Sequence, residues 1–231
     1  GFAAAIGALA DKADLGLHLN LTCAAPLGAM PRLAPGGELP ALRDLARVAA
    51  TSPTARHEVA AEIARQLDAF EDGLGRPPDF IDGHQHVHVL PGVRRALLDA
   101  VSKRYPKGTL YLRDPHDSPV AIRARGVAVG KALTISALAL GFRHAALRRG
   151  FPVNRGFSGV VPFDPARDFA ADLQRFLLRP GPAHLVMCHP GFVDVELARL
   201  DPVVATRPVE HAALMAFEPQ GLTMVRFAGL A

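Results

Sequence analysis

Residues Leu15-Gly16-Leu17-His18-Leu19-Asn20-Leu21 place an apolar side chain at every second position. That period of two predicts a strand over Leu15–Leu21, with His18 and Asn20 on its polar face. The stretch from Cys23 to Pro40 carries Pro26, Pro31, Pro35, Gly36 and Gly37 and reads as a long functional loop or lid. Val59, Ile63, Leu67 and Phe70 then recur at helical spacing, which predicts a helix over Thr54–Asp72 ended by Gly73 and Gly75. A strand is expected at Phe80–His84, and a helix at Val93–Lys103 that buries Val93, Ala96, Leu97 and Ala100. Thr109–Leu112 is rich in strand formers, and one long helical zone is expected over Ile122–Arg149. Further expectations are a strand at Phe157–Val161, a helix at Asp168–Leu178 and a buried strand at His184–Cys188. A helix at Val209–Phe217 and a strand at Leu222–Phe227 complete the series, and Gly1–Ala10 reads as a helix with Phe2, Ile6 and Leu9 on one side. Strands alternating with helices are the signature of parallel βαβ units.

The 231 residues suit one α/β domain, and 49% hydrophobic against 21% charged residues supplies a core and argues against disorder. The two cysteines, Cys23 and Cys188, form neither a disulfide framework nor a Cys-x-x-Cys metal motif. A net charge of +4, with arginines not interleaved with aromatics, excludes a nucleic-acid partner as the leading reading. The apolar run Ala132–Phe142 is flanked by Lys131 and Arg143. It falls short of the roughly 20 apolar residues a bilayer span needs. A cytoplasmic location is expected, with the inner face of the membrane as the alternative.

The segment Asp82-Gly83-His84-Gln85-His86-Val87-His88 changes the picture most. If the backbone stays extended, Asp82, His84, His86 and His88 share one face. Neutral imidazole is the commonest transition-metal ligand, and several in one short segment cost core packing. That points to a metal-centred hydrolytic site. His18, His84, Arg113 and His189 all fall at or near the C-terminal ends of expected strands, the edge that carries active sites in α/β folds.

Gly16-Leu17-His18-Leu19-x-Leu21-Thr22, then Asp82–His88, then Met187-Cys188-His189-Pro190-Gly191-Phe192, occur in an order and spacing that resembles the YdjC-type carbohydrate deacetylases. Leu110–Pro115 and Asn154–Gly159 look most like the hopanoid-biosynthesis-associated branch of that family. The resemblance implies a single domain over residues 1–231 with a distorted (β/α) barrel of the polysaccharide-deacetylase/glycoside-hydrolase type. It implies removal of an N-acetyl group from an amino sugar, with one divalent ion, zinc or magnesium, as cofactor. The residues matching the family's histidine ligands are His18 and His84. The family's Asp-Asp-Phe-Gly segment does not occur in this sequence. Its place lies upstream of Gly1, so the expectation is an N-terminally truncated chain that lacks the first barrel strand and is inactive alone.

Within that frame His189 is the expected acid on the departing amine, and Arg113 the expected contact to an oxyanion or a substrate hydroxyl, with an ion pair to Asp114 as its alternative. Asp82, His86 and His88 are expected behind the ligands or against substrate, Asp82 by orienting an imidazole N–H. Cys188 reads as packing. The expected partner is an N-acetylated amino sugar, free or lipid-linked, with peripheral membrane contact and homo-oligomerisation as further expectations. A metal-dependent phosphoesterase and a catalytically defective sugar- or lipid-binding barrel are the competing readings.

Overall fold

The computed structural model describes residues 6–201, 203–218 and 221–226. The chain forms two compact units. The first comprises residues 1–113, 141–153 and 226–231, and the second residues 114–140 and 154–225.

The first unit is built on a parallel sheet, β1 (Gly16–Leu19), β2 (Phe80–Gly83) and β3 (Tyr111–Leu112), in that order. The register pairs His18 with Asp82 and Phe80 with Tyr111. Leu19, Ile81 and Leu112 are buried from the sheet. Val59, Ile63 and Leu67 of helix α2 (Pro53–Leu74) and Val93, Leu97, Leu98 and Val101 of helix α3 (Val93–Arg104) are buried from the helices. Ala96 and Ala100 are only half-buried, so the buried face of α3 is rotated from the expected one toward the larger side chains Leu98 and Val101. Ser52 starts α2 by accepting the N–H of Ala55 at 3.2 Å, with Pro53 in the first turn, and Gly75 ends it in the left-handed conformation at φ 67°. An additional helix, α1 (Leu42–Thr51), precedes it and buries Leu45 and Ala49.

Between β1 and α1 the long loop is pinned rather than free. Glu58 of α2 accepts the N–H groups of Arg32 and Leu33, and the buried Glu62 accepts that of Leu27. Gln66 exchanges two hydrogen bonds with the backbone of Asn20. Met30, Leu33 and Leu39 are buried, so the loop packs as a wall.

The expected helical zone Ile122–Arg149 is three helices: α4 (Pro119–Arg125), α5 (Val129–Leu138) and α6 (Phe142–Arg148). Gly126 and Gly141, at φ 68° and 78°, break it. Helix α6 belongs to the first unit, where Phe142 and Ala146 are buried.

The second unit pairs β4 (Phe157–Ser158) with β5 (Leu185–Val186) in parallel. Gly159, at φ 96°, follows β4; a Cβ there would lie 2.0 Å from the carbonyl oxygen of Met187, so only glycine permits this approach. Helices α7 (Phe169–Phe176), α8 (Val195–Leu200) and α9 (Arg207–Met215) follow. One core joins Val127, Val161, Phe169, Leu173 and Phe176, with Val209, Ala213 and Leu214 of α9 against it. Strand β5 is half-buried rather than buried. Residues 222–226 adopt no regular structure, while Phe227 of the expected strand and residues 1–5 of the expected first helix lie outside the described residues. No helix among the described residues is long and apolar enough to cross a membrane.

Candidate functional site

Parallel pairing of β1 with β2 sets His18 directly beside Asp82. Nδ1 of His18 lies 2.6 Å from Oδ1 of Asp82, and the other carboxylate oxygen lies 2.6 Å from Nη1 of Arg113. Arg113 follows β3 and also donates Nη2–H to the carbonyl of Gly83 at 2.7 Å. The three charged or titratable side chains therefore come from the ends of three adjacent strands. Burial works against ionisation of Asp82, but the hydrogen bond to His18 and the charge of Arg113 outweigh it and hold the carboxyl down at about 2. An ionised Asp82 accepts the Nδ1 proton of His18 and leaves the Nε2 lone pair as the ligand position. The His18 side chain is 53% exposed.

The strand does not continue through the histidines. Gly83 is the last residue of β2 in register with β1, and His84–Val89 turns into a tight 3₁₀ segment. Gln85 and His86 take left-handed backbones at φ 50° and 58°. The expected shared face of Asp82, His84, His86 and His88 is thereby broken, because the ladder that would hold an extended chain has ended. The His84 ring instead meets His18 edge to face, with centroids 5.6 Å apart. His88 turns into the core, fully buried, with Nε2 2.8 Å from the carbonyl oxygen of Arg113 and its ring 5.5 Å from that of Phe142. Burial and the Arg113 charge push its pKa down to about 3. His88 is thus an internal strut behind Arg113.

Arg113 is likewise buried. It is 5% exposed and, through its contacts with Asp82 and Gly83, holds the carboxylate behind His18. Asp114, its neighbour in sequence, accepts the N–H of His116 at 3.1 Å.

Among the described residues no group of three or more His, Cys, Asp or Glu side chains is placed so that it could hold a metal ion. His18 and His84 bring two imidazoles side by side, with the Asp82 carboxylate behind one of them, and both are residue types that ligate divalent ions.

His189 lies in the second unit, after β5. Its backbone N–H donates to Oε2 of Glu210 at 2.5 Å, and its Nδ1 lies 3.9 Å from the same oxygen. Its ring meets that of Phe163 edge to face, 5.3 Å apart. Phe163 has a left-handed backbone at φ 59° and carries the ammonium of Lys131 4.3 Å from its ring centroid. Burial raises the carboxyl pKa of Glu210. The Cys188 thiol, raised to about 12 by burial and by Glu210, stays protonated and is no nucleophile. Glu210 and Phe163 carry no local sequence signal.

The family described as YdjC-like protein matches over residues 1–221. A carbohydrate deacetylase of Mus musculus is 38% identical over 91 residues, 37% of this chain and 29% of that protein. The Homo sapiens carbohydrate deacetylase is 37% identical over 91 residues, 37% of this chain and 28% of its own. Those matches span less than a third of the mouse and human proteins. A chitooligosaccharide deacetylase of Yersinia pestis (strain Pestoides F) is 38% identical over 205 residues, covering 84% of this chain and 67% of that one. The fold is shared with a crystal structure from Enterococcus faecalis V583 provisionally assigned as a cellobiose-phosphate cleavage protein. The TM-score is 0.63 at 20% identity, over 99% of this chain and 82% of that one.

Proposed function

Because the chain belongs to the YdjC-like protein family, we propose that it is a metal-dependent hydrolase that removes the N-acetyl group from an amino sugar, on a distorted (β/α) barrel. The observation that carries this reading is the 2.6 Å bond between His18 and Asp82 beside the His84 ring. A carboxylate on one imidazole nitrogen is the usual partner of a histidine that binds metal through the other. The names of the relatives, carbohydrate and chitooligosaccharide deacetylases, supply the substrate class.

His18 and His84 are the residues that would hold the ion, and imidazole donors favour zinc over magnesium. When bound, the ion supplies Lewis acidity toward a carbonyl oxygen and lowers the pKa of water. Asp82 fixes the tautomer and direction of His18, and Arg113 keeps Asp82 ionised and in place. His189 is proposed to protonate the departing amine, with Glu210 and Phe163 holding its backbone and ring.

A lipid-linked acceptor, a hopanoid among them, is the narrower form of this proposal. Helix α6 exposes Leu147 beside Arg148 and suits it; failure to sediment with anionic vesicles at low salt would remove it. The main reading is tested by acetate release from chitooligosaccharides with zinc or magnesium added, compared with the His84→Ala variant. No metal-dependent release would end it.

A further inference from the structure

The loop after His189 is fastened to helix α9 at three points. The N–H of His189 donates to Glu210, the N–H of Gly191 donates to the carbonyl of Arg207 at 3.3 Å, and the Phe192 ring lies 4.7 Å from the His211 ring at a tilt of 51°. Arg207, Glu210 and His211 are three and four residues apart and so share one helix face. Arg207 is itself paired with Asp201 at 2.5 Å. One helix therefore sets both the position of His189 and the direction of an aromatic ring three residues further on.

That ring faces solvent. Phe192 is 79% exposed, and among the described residues it is the one exposed phenylalanine; Tyr105 is buried, Tyr111 half-buried, and the chain has no tryptophan. An aromatic ring held in water loses the burial free energy that normally places it in a core. The C–H groups on one face of a pyranose are weakly positive and the face of a benzene ring is negative, so the two attract while water leaves both. The His211 ring gives Phe192 one neighbour on α9 and leaves the rest of its surface open to a ligand.

We infer that Phe192, beside His211 on the α9-anchored loop, is a stacking platform for a pyranose ring of the substrate. The inference rests on the amino-sugar reading of the site and adds to it the residue that recognises the sugar rather than the acetyl group.

The absence of tryptophan from the chain makes a direct test available, since the Phe192→Trp variant carries a single indole. Titrating the full chain with chitooligosaccharides of two to five units should change its emission saturably, while N-acetylglycine, which offers the amide without the ring, should not. In parallel, Phe192→Ala should raise KM about two- to tenfold, the range of one lost aromatic contact, with kcat little altered. Thermal melts of both variants should match the parent, because the side chain is exposed. A flat emission titration, or an unchanged KM in Phe192→Ala, overturns the platform. A saturable emission change without acetate release from any chitooligosaccharide leaves the platform standing and overturns the deacetylase reading.

Discussion

His18 and Asp82 are register partners on adjacent parallel strands, and their side chains meet at 2.6 Å. The orientation of the candidate ligand is therefore set by the sheet itself, since a shift of one residue in register would turn either side chain to the other face. Metal binding and the pairing of β1 with β2 should be tied together.

The first expected outcome follows. Calorimetric titration with zinc should show His18→Ala and His84→Ala sharply weakened, and Asp82→Asn weakened about 10–100-fold as an orienting carboxylate is lost. His88→Ala, altering a buried strut, should change stability far more than affinity. Undiminished affinity in His84→Ala would remove that residue from the ligand set.

Asp82 and Arg113 form a buried pair in which each oxygen and each terminal nitrogen has an assigned partner. Removing either charge alone, by Asp82→Leu or Arg113→Met, should cost about 3–5 kcal/mol because the other is left buried. The double variant should lose less than the sum of the singles. Urea unfolding measures all three, and strictly additive losses would show that the pair is not coupled.

Acid should destabilise the fold before its carboxylates titrate. Burial and Arg113 lower His88 to about 3, and burial and Arg125 lower His184 to about 4, from an ordinary 6.5. An unfolded chain takes up protons at these rings as pH falls below 6.5, while the folded one stays neutral. The stability they lend is complete above that pH and is lost progressively as pH drops toward 4 and then 3. His184 lies 2.8 Å from Ser158 Oγ through Nε2. The His184→Gln variant keeps a hydrogen-bonding side chain without the titration, and its urea midpoint should fall less steeply between pH 7 and 4.5. An identical slope would reject this account.

His189→Ala should lower kcat by roughly 10²–10⁴-fold while metal content is retained. The loss should shrink for substrates whose leaving group needs less protonation. Metal analysis of the purified variant separates the possibilities, because a parallel loss of metal would make His189 a ligand.

Where local chemistry dictates local structure, the sequence can be read directly. The alternating leucines around His18 gave β1, and Ser52-Pro53 with Gly75 bracket α2. The histidine segment shows the limit. Alternation at His84, His86 and His88 resembles a strand, yet whether it extends depends on a neighbouring strand that ends at Leu19. The run Ile122–Arg149 looks like one helix by composition, and Gly126 and Gly141 divide it in three. Helix α8 is capped at its start by Asp194, whose side chain accepts the N–H of Leu197 at 2.7 Å, but its six residues are too few to show a helical period in the sequence. The link from Arg113 to Asp82 joins positions 31 apart through register, which no local pattern encodes.

The wall between β1 and α1 has a consequence for how such a protein changes over time. Its backbone shape is specified by two glutamates and a glutamine on α2, outside the loop itself. Exposed loop residues such as Leu27 and Arg32 contribute a backbone N–H to that clamp, which almost any amino acid other than proline can also do. Mutation can therefore redraw the outward chemistry of the loop at little cost to folding. A lineage could diversify what the surface meets while the scaffold stays constant.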